Sequence, residues 1–234
     1  MVEQTPDNPP DTVPVVRAAF RDECARLVAE LRDLTEADLH RPTNCPPWTV
    51  RELLAHVHTG VGRLAGMLAA PAPPRTQVDA AGYFGAAKFT PPVDAARIEG
   101  GHRAGRQLDA AALADDLDRV RRATLNAVDA QPPGRLVLTR HGDAMTMVEF
   151  LRTRVVEVGV HGLDLAAALD RQPWLTPAAA AVVADLLTGG RPVPAALNWD
   201  RLTLIRKTTG RTPLTPVEQA AIEAADFRWL TFSP

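Results

Sequence analysis

Apolar residues recur along the chain at helical intervals in four long segments. In the first, residues 12–34, the apolar positions are three or four residues apart: Val16, Phe20, Cys24, Leu27, Leu31 and Leu34. Comparable patterns cover residues 50–68, 108–128 and 147–169, and the last of these contains no proline. Such spacing is typical of amphipathic helices that bury one face. The pattern therefore predicts a mainly α protein built on a four-helix bundle.

Two short motifs mark where the second and fourth helices begin. Thr49 is followed three residues later by Glu52, and Thr146 is followed at the same spacing by Glu149. In a capping box the hydroxyl accepts from a free amide of the first turn, and the carboxylate reaches back to the amide of the capping residue. Both motifs thus predict helix starts immediately after the threonine.

Proline and glycine separate the predicted helices. Residues 35–48 hold three prolines and are predicted to form a loop. Residues 75–108 form a long connection, in which paired glycines weaken the case for a helix beginning near Asp94. A connection of this length is usually functional or mobile, and this one could form a lid over a pocket. Residues 135–139 are predicted to be extended.

The chain changes character after the fourth helix. Residues 176–189 predict a short alanine-rich helix that starts with Thr-Pro and ends at a pair of glycines. Residues 201–207 alternate between apolar and polar positions and predict a strand, followed by a turn at residues 209–211. A last helix is predicted to begin after Thr215.

These elements predict a flexible tail at residues 1–10, a metal-binding helical bundle at 11–172 and a small C-terminal α/β domain at 173–234. A net charge of −2 argues against a nucleic-acid or anionic membrane surface. Cys24 and Cys45 are too few for a disulfide framework and do not form a CxxC motif. No signal peptide or membrane-spanning run is recognisable. We therefore expect a cytoplasmic protein with no nucleic-acid or membrane partner.

Three polar side chains share one stripe of the otherwise apolar fourth helix. Glu157 and His161 are one turn apart, and Asp164 follows about one turn later on the same arc. Burying a carboxylate and an imidazole is costly unless they bind something, and a metal ion is the simplest ligand. His56, on the inward side of the second helix, is the best third ligand, because open zinc sites generally use three protein ligands. The alternative is a core histidine at position 56 and a hydrogen-bonded Glu157–His161 pair.

Each of the neighbouring residues allows two interpretations. Asp164 could orient a ligand imidazole, or it could cap a loop or bind Arg154. Arg154 lies one turn before Glu157 and could neutralise it, or simply form a salt bridge within the bundle. Cys45 could be a reactive thiol, although a structural cysteine is the favoured interpretation.

Two motifs in this order resemble the mycothiol-dependent maleylpyruvate isomerase family, an actinobacterial branch of the DinB-like four-helix bundle proteins. The first motif is Cys45-Pro46-Pro47-Trp48-Thr49-Val50-Arg51-Glu52-Leu53-Leu54-Ala55-His56, and the second runs from Arg154 through Glu157 to His161-Gly162-Leu163-Asp164-Leu165. The resemblance covers residues 10–170. Residues 204–214, with the turn Thr209-Gly210-Arg211, resemble the small C-terminal domain of the family.

The resemblance implies that His56, Glu157 and His161 hold a divalent metal, usually zinc, with water in the open positions. In the isomerase the metal is expected to bind mycothiol as a thiolate, because zinc deprotonates a coordinating thiol at neutral pH. The thiolate adds to a cis double bond, the new single bond rotates, and elimination returns the trans acid. An arginine of the C-terminal domain also contributes to that site, and Arg211, or else Arg206, could pair with a substrate carboxylate.

Three functions are compatible with these residues. The favoured one is a metal- and thiol-dependent transferase or isomerase that acts on an electrophilic small molecule. The second is a metal-dependent hydrolase that activates water, with non-haem iron chemistry as a variant of the same ligand set. The third is a bundle that binds a small ligand without catalysis. The expected partners are a small-molecule substrate and a low-molecular-weight thiol, and the expected assembly is a monomer or a homodimer.

Overall fold

The computed structural model describes residues 12–85 and 90–232, so the predicted tail at residues 1–10 lies outside the described part. In chain order the elements are α1 (Thr12–Leu31), α2 (Glu36–Leu39), α3 (Val50–Ala69), α4 (Ala80–Tyr83), α5 (Pro91–Gly105), α6 (Leu113–Asp129), β1 (Leu136–Leu138), β2 (Ala144–Thr146), α7 (Met147–Ala168), α8 (Pro177–Thr188), α9 (Arg201–Thr208) and α10 (Pro216–Ala224), with a short 3₁₀ turn at Ala195–Leu197.

The helices α1, α3, α6 and α7 form the predicted four-helix bundle. Helix α1 packs against α6 and α7, and α3 packs against the same two helices. The apolar positions that predicted the first helix face the centre, since Phe20, Cys24 and Leu27 are all buried. The mainly α fold class and the four-helix bundle are therefore confirmed.

Helix α7 is buried along most of its length. Seventeen of its 22 residues are buried, because the bundle covers one side of it and α8 covers another. A glycine permits the close approach of the segment before α8: a Cβ on Gly162 would lie 3.1 Å from Nε1 of Trp174. Charged groups on α7 are therefore held in mainly apolar surroundings, where they need partners.

The two predicted capping boxes have different outcomes. The first is complete, and the Glu52 carboxylate accepts from the Thr49 amide at 2.9 Å. At the second, Thr146 Oγ1 accepts from the Glu149 amide at 3.2 Å. The Glu149 carboxylate, however, accepts from the amide of Ala80 at 2.9 Å and so caps α4 instead. The helix start was predicted correctly, but this glutamate connects two helices.

Both predicted loops contain helical turns. The loop at residues 35–48 includes α2, which begins with a capping box between Thr35 and Asp38. In the connection at residues 75–108, α5 begins at Pro91, three residues before the position expected from the sequence. One of the paired glycines serves packing, since a Cβ on Gly101 would lie 2.8 Å from the Trp48 ring, whereas a Cβ on Gly100 would have no heavy atom within 4 Å. The connection therefore carries a helix that packs against α3.

The strand predicted at residues 201–207 is wrong, because this segment forms α9. Asp200 caps it by accepting from the Thr203 amide at 2.7 Å, and its buried positions are Leu204, Ile205 and Thr208. Spacing of one, three and four residues fits one face of a helix. In the described part of the chain, residues 173–232 contain helices and no strand, so the α/β character predicted for this appendage is corrected.

The strands lie in the bundle region instead. Strand β1 falls within the extended run predicted at residues 135–139, and it pairs with β2 in an antiparallel hairpin between α6 and α7. Val137 is opposite Met145 in this hairpin. Among the described residues, no helix combines the length and apolar character required to cross a membrane.

Candidate metal centre and its cavity

The three predicted ligands converge between α3 and α7. His56 comes from α3, whereas Glu157 and His161 lie one turn apart on α7, which packs directly against α3. Nε2 of His161 is 3.7 Å from Oε1 of Glu157, and Nε2 of His56 contacts the same oxygen. The two imidazole rings are 5.5 Å apart and nearly perpendicular.

This donor set suits a divalent metal ion. One ligand atom from each residue lies within 4.8 Å of the other two. Two imidazole nitrogens and one carboxylate oxygen are the protein ligands of many catalytic zinc sites, which leave further positions open. Oε1 of Glu157 is buried and accepts no well-formed hydrogen bond from the described residues, as a carboxylate placed for a cation would be.

The protonation states of two ligands already suit cation binding. Burial would raise the pKa of Glu157, but the charges of His56 and Arg154 outweigh this and hold the pKa well below its usual range. Burial lowers the pKa of His56, against the opposing effect of Glu157. At neutral pH the glutamate is thus ionised and this imidazole is neutral.

His161 differs because its second nitrogen has an acidic partner. Nδ1 lies 3.0 Å from Oδ2 of Asp164. Burial lowers the pKa of His161, but the hydrogen bonds to Asp164 and Cys45 and the charge of Glu157 outweigh it and raise the pKa to about 9. The carboxylate therefore fixes the ring so that Nε2 faces Glu157, as carboxylates commonly do beside metal-binding histidines.

Asp164 is itself braced from two sides. Arg211 donates to it through Nη2 at 2.6 Å and through Nε at 3.0 Å. Sγ of Cys45 lies 3.2 Å from Oδ2 of Asp164 and 4.0 Å from Nδ1 of His161. The loop before α3 and the turn after α9 therefore both contact the His161–Asp164 pair.

Arg154 is buried beside Glu157. Its Nη1 is 3.6 Å from Oε2 of Glu157, and its guanidinium carbon is 4.8 Å from the centre of the Phe150 ring. A Cβ on Gly60 of α3 would lie 3.1 Å from Arg154 Nη1, so the glycine makes room for the guanidinium group. The ion pair proposed from the sequence is therefore present.

The ligands line a cavity of about 530 Å³ between the bundle and the C-terminal region. Its wall carries five arginines, Arg63, Arg97, Arg140, Arg154 and Arg211. Of these five, the sequence motifs predict only Arg154 and Arg211. Arg63 could also have been predicted, because it lies seven residues, or about two turns, after His56 and so shares its face of α3. Arg140 follows β1, and no local pattern marks it.

The remaining candidates take different places. Arg206 is exposed on α9 and is not among the cavity-lining residues of the described chain. Tyr83 and His141 line the cavity, whereas His102 does not and lies 3.8 Å from Glu52. Trp48 is buried with its ring 4.7 Å from that of His56, so it packs against a predicted ligand.

The fold and this donor set define a helical-bundle protein with a candidate two-histidine, one-carboxylate metal centre that opens into a cavity. The family profile described as the mycothiol maleylpyruvate isomerase N-terminal domain matches residues 20–166, well over half of the chain. The chain belongs to this family.

Solved structures show the same fold. The crystal structure of the mycothiol-dependent maleylpyruvate isomerase matches with a TM-score of 0.53 and 18% identity, over 79% of this chain and 72% of that chain. A mutant of this isomerase with one histidine replaced by alanine matches with a TM-score of 0.52 and 16% identity over the same shares. Both structures are of an enzyme. No curated protein sequence matches the chain.

Proposed function

We propose that this chain is a metal- and thiol-dependent enzyme, an isomerase or S-transferase that acts on an electrophilic small molecule. The observation that carries the proposal is the convergence of His56, Glu157 and His161 on one side of a cavity, in a chain of this family. The similar solved structures are of a mycothiol-dependent isomerase, which supports mycothiol as the thiol. We further propose zinc as the metal and the cytoplasm as the compartment, because thiol chemistry needs reducing conditions.

A bound divalent metal would supply Lewis acidity, which lowers the pKa of a coordinating thiol so that a nucleophilic thiolate is present at neutral pH. His56 and His161 would hold the metal through Nε2, and Glu157 would hold it through Oε1. The three ligands come from two packed helices, α3 and α7, which are rigid supports for such a site.

The surrounding residues position the ligands and balance their charge. Asp164 accepts from Nδ1 of His161, and so keeps the lone pair of Nε2 directed at the centre. Arg211 neutralises Asp164, which is 1% exposed and would otherwise be a buried carboxylate held only by its contacts with His161 and Cys45. Arg154 helps to hold Glu157 ionised and pairs with Oε2, whereas both histidines face Oε1.

The reaction is then an addition to an activated double bond. The thiolate sulfur bonds to one alkene carbon, and the electron pair of the π bond moves onto the conjugated acceptor. Rotation about the carbon–carbon bond that was the alkene, followed by expulsion of the thiolate, returns the trans alkene. The thiol is therefore recovered. In the transferase variant the enolate formed by addition instead takes up one proton, equivalent to the one that the thiol lost on becoming a thiolate, and the thioether is the product.

The test is thiol consumption by the purified, zinc-loaded protein with a maleimide, whose ring prevents rotation to a trans alkene, so that the thiol stays in the adduct even if the enzyme is an isomerase. With mycothiol and N-propylmaleimide we expect loss of free thiol above the uncatalysed rate, and we expect His56→Ala to abolish the increase. His58→Ala is the matched control, because this histidine is on the same helix but does not line the cavity. Hydrolysis of esters or amides without thiol consumption would refute the proposal in favour of a metal-dependent hydrolase.

A further inference from the structure

The cavity wall carries more positive than negative charge. Three of its five arginines have a carboxylate partner: Arg97 pairs with Asp94 at 3.1 Å, Arg154 with Glu157 at 3.6 Å, and Arg211 with Asp164 at 2.6 Å. Arg63 and Arg140 have no carboxylate partner within the part of the chain that the structure describes. Both side chains line the cavity.

The surroundings of Arg63 disfavour its positive charge. Burial lowers the pKa of Arg63, and the positive charges of Arg140 and Arg154 lower it further. Arg63 is half-buried on α3, and Arg140 extends from the turn between β1 and β2 with Nε 3.2 Å from Nε2 of His141. A half-buried guanidinium with two cationic neighbours is costly, and an anion between the groups would remove much of that cost.

Arg63 and Arg140 line the same cavity as the candidate metal ligands, and Arg63 is separated from His56 along α3. Seven residues separate His56 from Arg63 on α3, which is about 10 Å along the helix axis. Gly60, between them, also lines the cavity. One ligand could therefore meet the metal centre at one end and the arginines at the other. Arg211 is not available for the same role, because its guanidinium already binds Asp164 and the carbonyl of Thr209.

We propose that Arg63 and Arg140 form an anion subsite that binds a carboxylate of the electrophilic substrate and selects acidic electrophiles. Guanidinium groups bind carboxylates through charge-assisted hydrogen bonds and suit planar, two-point recognition. Substrate selectivity then depends on α3 and the β1–β2 hairpin. Arg211, from the C-terminal region, instead positions the predicted metal ligand His161 through Asp164. This inference rests on the proposed function, so its test includes a reading that does not depend on turnover.

The test compares two electrophiles that share a reactive group. With mycothiol held constant, 3-maleimidopropionate is anionic and N-propylmaleimide is neutral. Removing one charge-assisted contact should raise KM about 10- to 100-fold. We expect Arg63→Gln and Arg140→Gln to raise KM by this factor for the anionic compound, and to change kcat/KM for the neutral compound less than twofold.

The control is Arg119→Gln, which removes the same charge from an exposed position on α6. It should leave both electrophiles unaffected. Equal effects of the cavity variants on the two electrophiles, or no effect on either, would overturn the proposal. Because Arg140 is exposed, Arg140→Gln tests the subsite even if the half-buried Arg63 cannot be replaced without loss of folding.

A binding measurement separates this inference from the proposed function. The inert analogue 3-succinimidopropionate has the same carboxylate but cannot react with a thiol. By calorimetry on zinc-loaded protein, we expect Kd to increase at least tenfold in Arg63→Gln and in Arg140→Gln. If thiol consumption is absent but this shift occurs, the subsite is supported and the thiol mechanism is refuted. If the native protein does not bind the analogue, or the variants bind it equally well, the subsite is refuted.

Discussion

Arg211 and Asp164 form a two-point ion pair that joins the turn after α9 to α7. Nη2 lies 2.6 Å from Oδ2 and Nε lies 3.0 Å from Oδ1. The same carboxylate is 3.0 Å from Nδ1 of His161. The C-terminal part of the chain therefore reaches a predicted metal ligand through one buried carboxylate, and Arg211 is a positioning residue.

Replacing Arg211 should destabilise the fold. Arg211→Ala leaves Asp164 buried without its counter-charge, and breaking a pair of this kind costs about 3 kcal/mol. Arg206→Ala is the matched control, because Arg206 is exposed on α9 and should change stability by less than about 0.5 kcal/mol. Urea denaturation measures both values. Equal stabilities of the two variants would show that the contact between Arg211 and Asp164 does not stabilise the fold.

Metal binding should release one proton at neutral pH. With no metal present, His161 is protonated below its pKa of about 9, which the contacts with Asp164, Cys45 and Glu157 raise against the effect of burial. Nε2 must lose this proton to bind a cation, so the affinity should rise with pH up to about 9, by roughly tenfold per unit between pH 7 and 8. Calorimetry in buffers of different ionisation enthalpy counts the released proton. An affinity independent of pH over this range would contradict the assignment of His161.

Removing the charge of Asp164 should weaken metal binding even at a pH where proton competition is small. Asp164→Asn keeps the shape of the side chain but loses the carboxylate that fixes the His161 ring. At pH 9 the affinity for zinc should fall about 10- to 100-fold, as is usual when the partner of a metal-binding histidine is lost. At pH 8 the variant should release less than one proton. Unchanged affinity at pH 9 would mean that Asp164 does not orient the ligand.

Two glycines of α3 should respond differently to alanine. Gly66 has no heavy atom within 4 Å of the position of an added Cβ, so Gly66→Ala should stabilise the protein by about 0.5–1 kcal/mol. At Gly60 the added Cβ would lie 3.1 Å from Nη1 of Arg154. We expect Gly60→Ala to lose this gain and to weaken metal binding, because Arg154 must move away from Glu157. Thermal denaturation and zinc titration measure the stability and zinc affinity of both variants. Equal stabilities and equal zinc affinities would contradict the proposed role of Arg154.

Local periodicity was sufficient to predict the four long helices and two of the three candidate metal ligands. Glu157 and His161 are four residues apart on one apolar helix, so their common direction follows from helix geometry alone. The placement of His56 beside them depends on how α3 packs against α7. Its inward position on the second helix made it the best candidate for a third ligand, and the family resemblance implied the same set. The strand predicted at residues 201–207 was wrong because the buried positions, Leu204, Ile205 and Thr208, follow one face of a helix and not the two-residue alternation of a strand.

Other parts of the site lie beyond local pattern. The contact of Cys45 with Asp164 joins residues 119 positions apart and depends on the path of the loop before α3. Arg140 reaches the cavity through the hairpin, and only β1 of its two strands had been foreseen. Glu149 appeared to complete a capping box but binds the Ala80 amide, which is distant in sequence. Each case is a tertiary contact that replaces or adds to a local one.

The central claim is that His56, Glu157 and His161 hold one metal ion, and metal content tests it most directly. Protein purified without chelators and analysed by plasma emission spectrometry should contain about one equivalent of zinc per chain. His56→Ala should contain less than a tenth of an equivalent, and His58→Ala should retain the native amount. A metal content below a tenth of an equivalent in the native protein after incubation with zinc, or full retention in His56→Ala, would contradict the account.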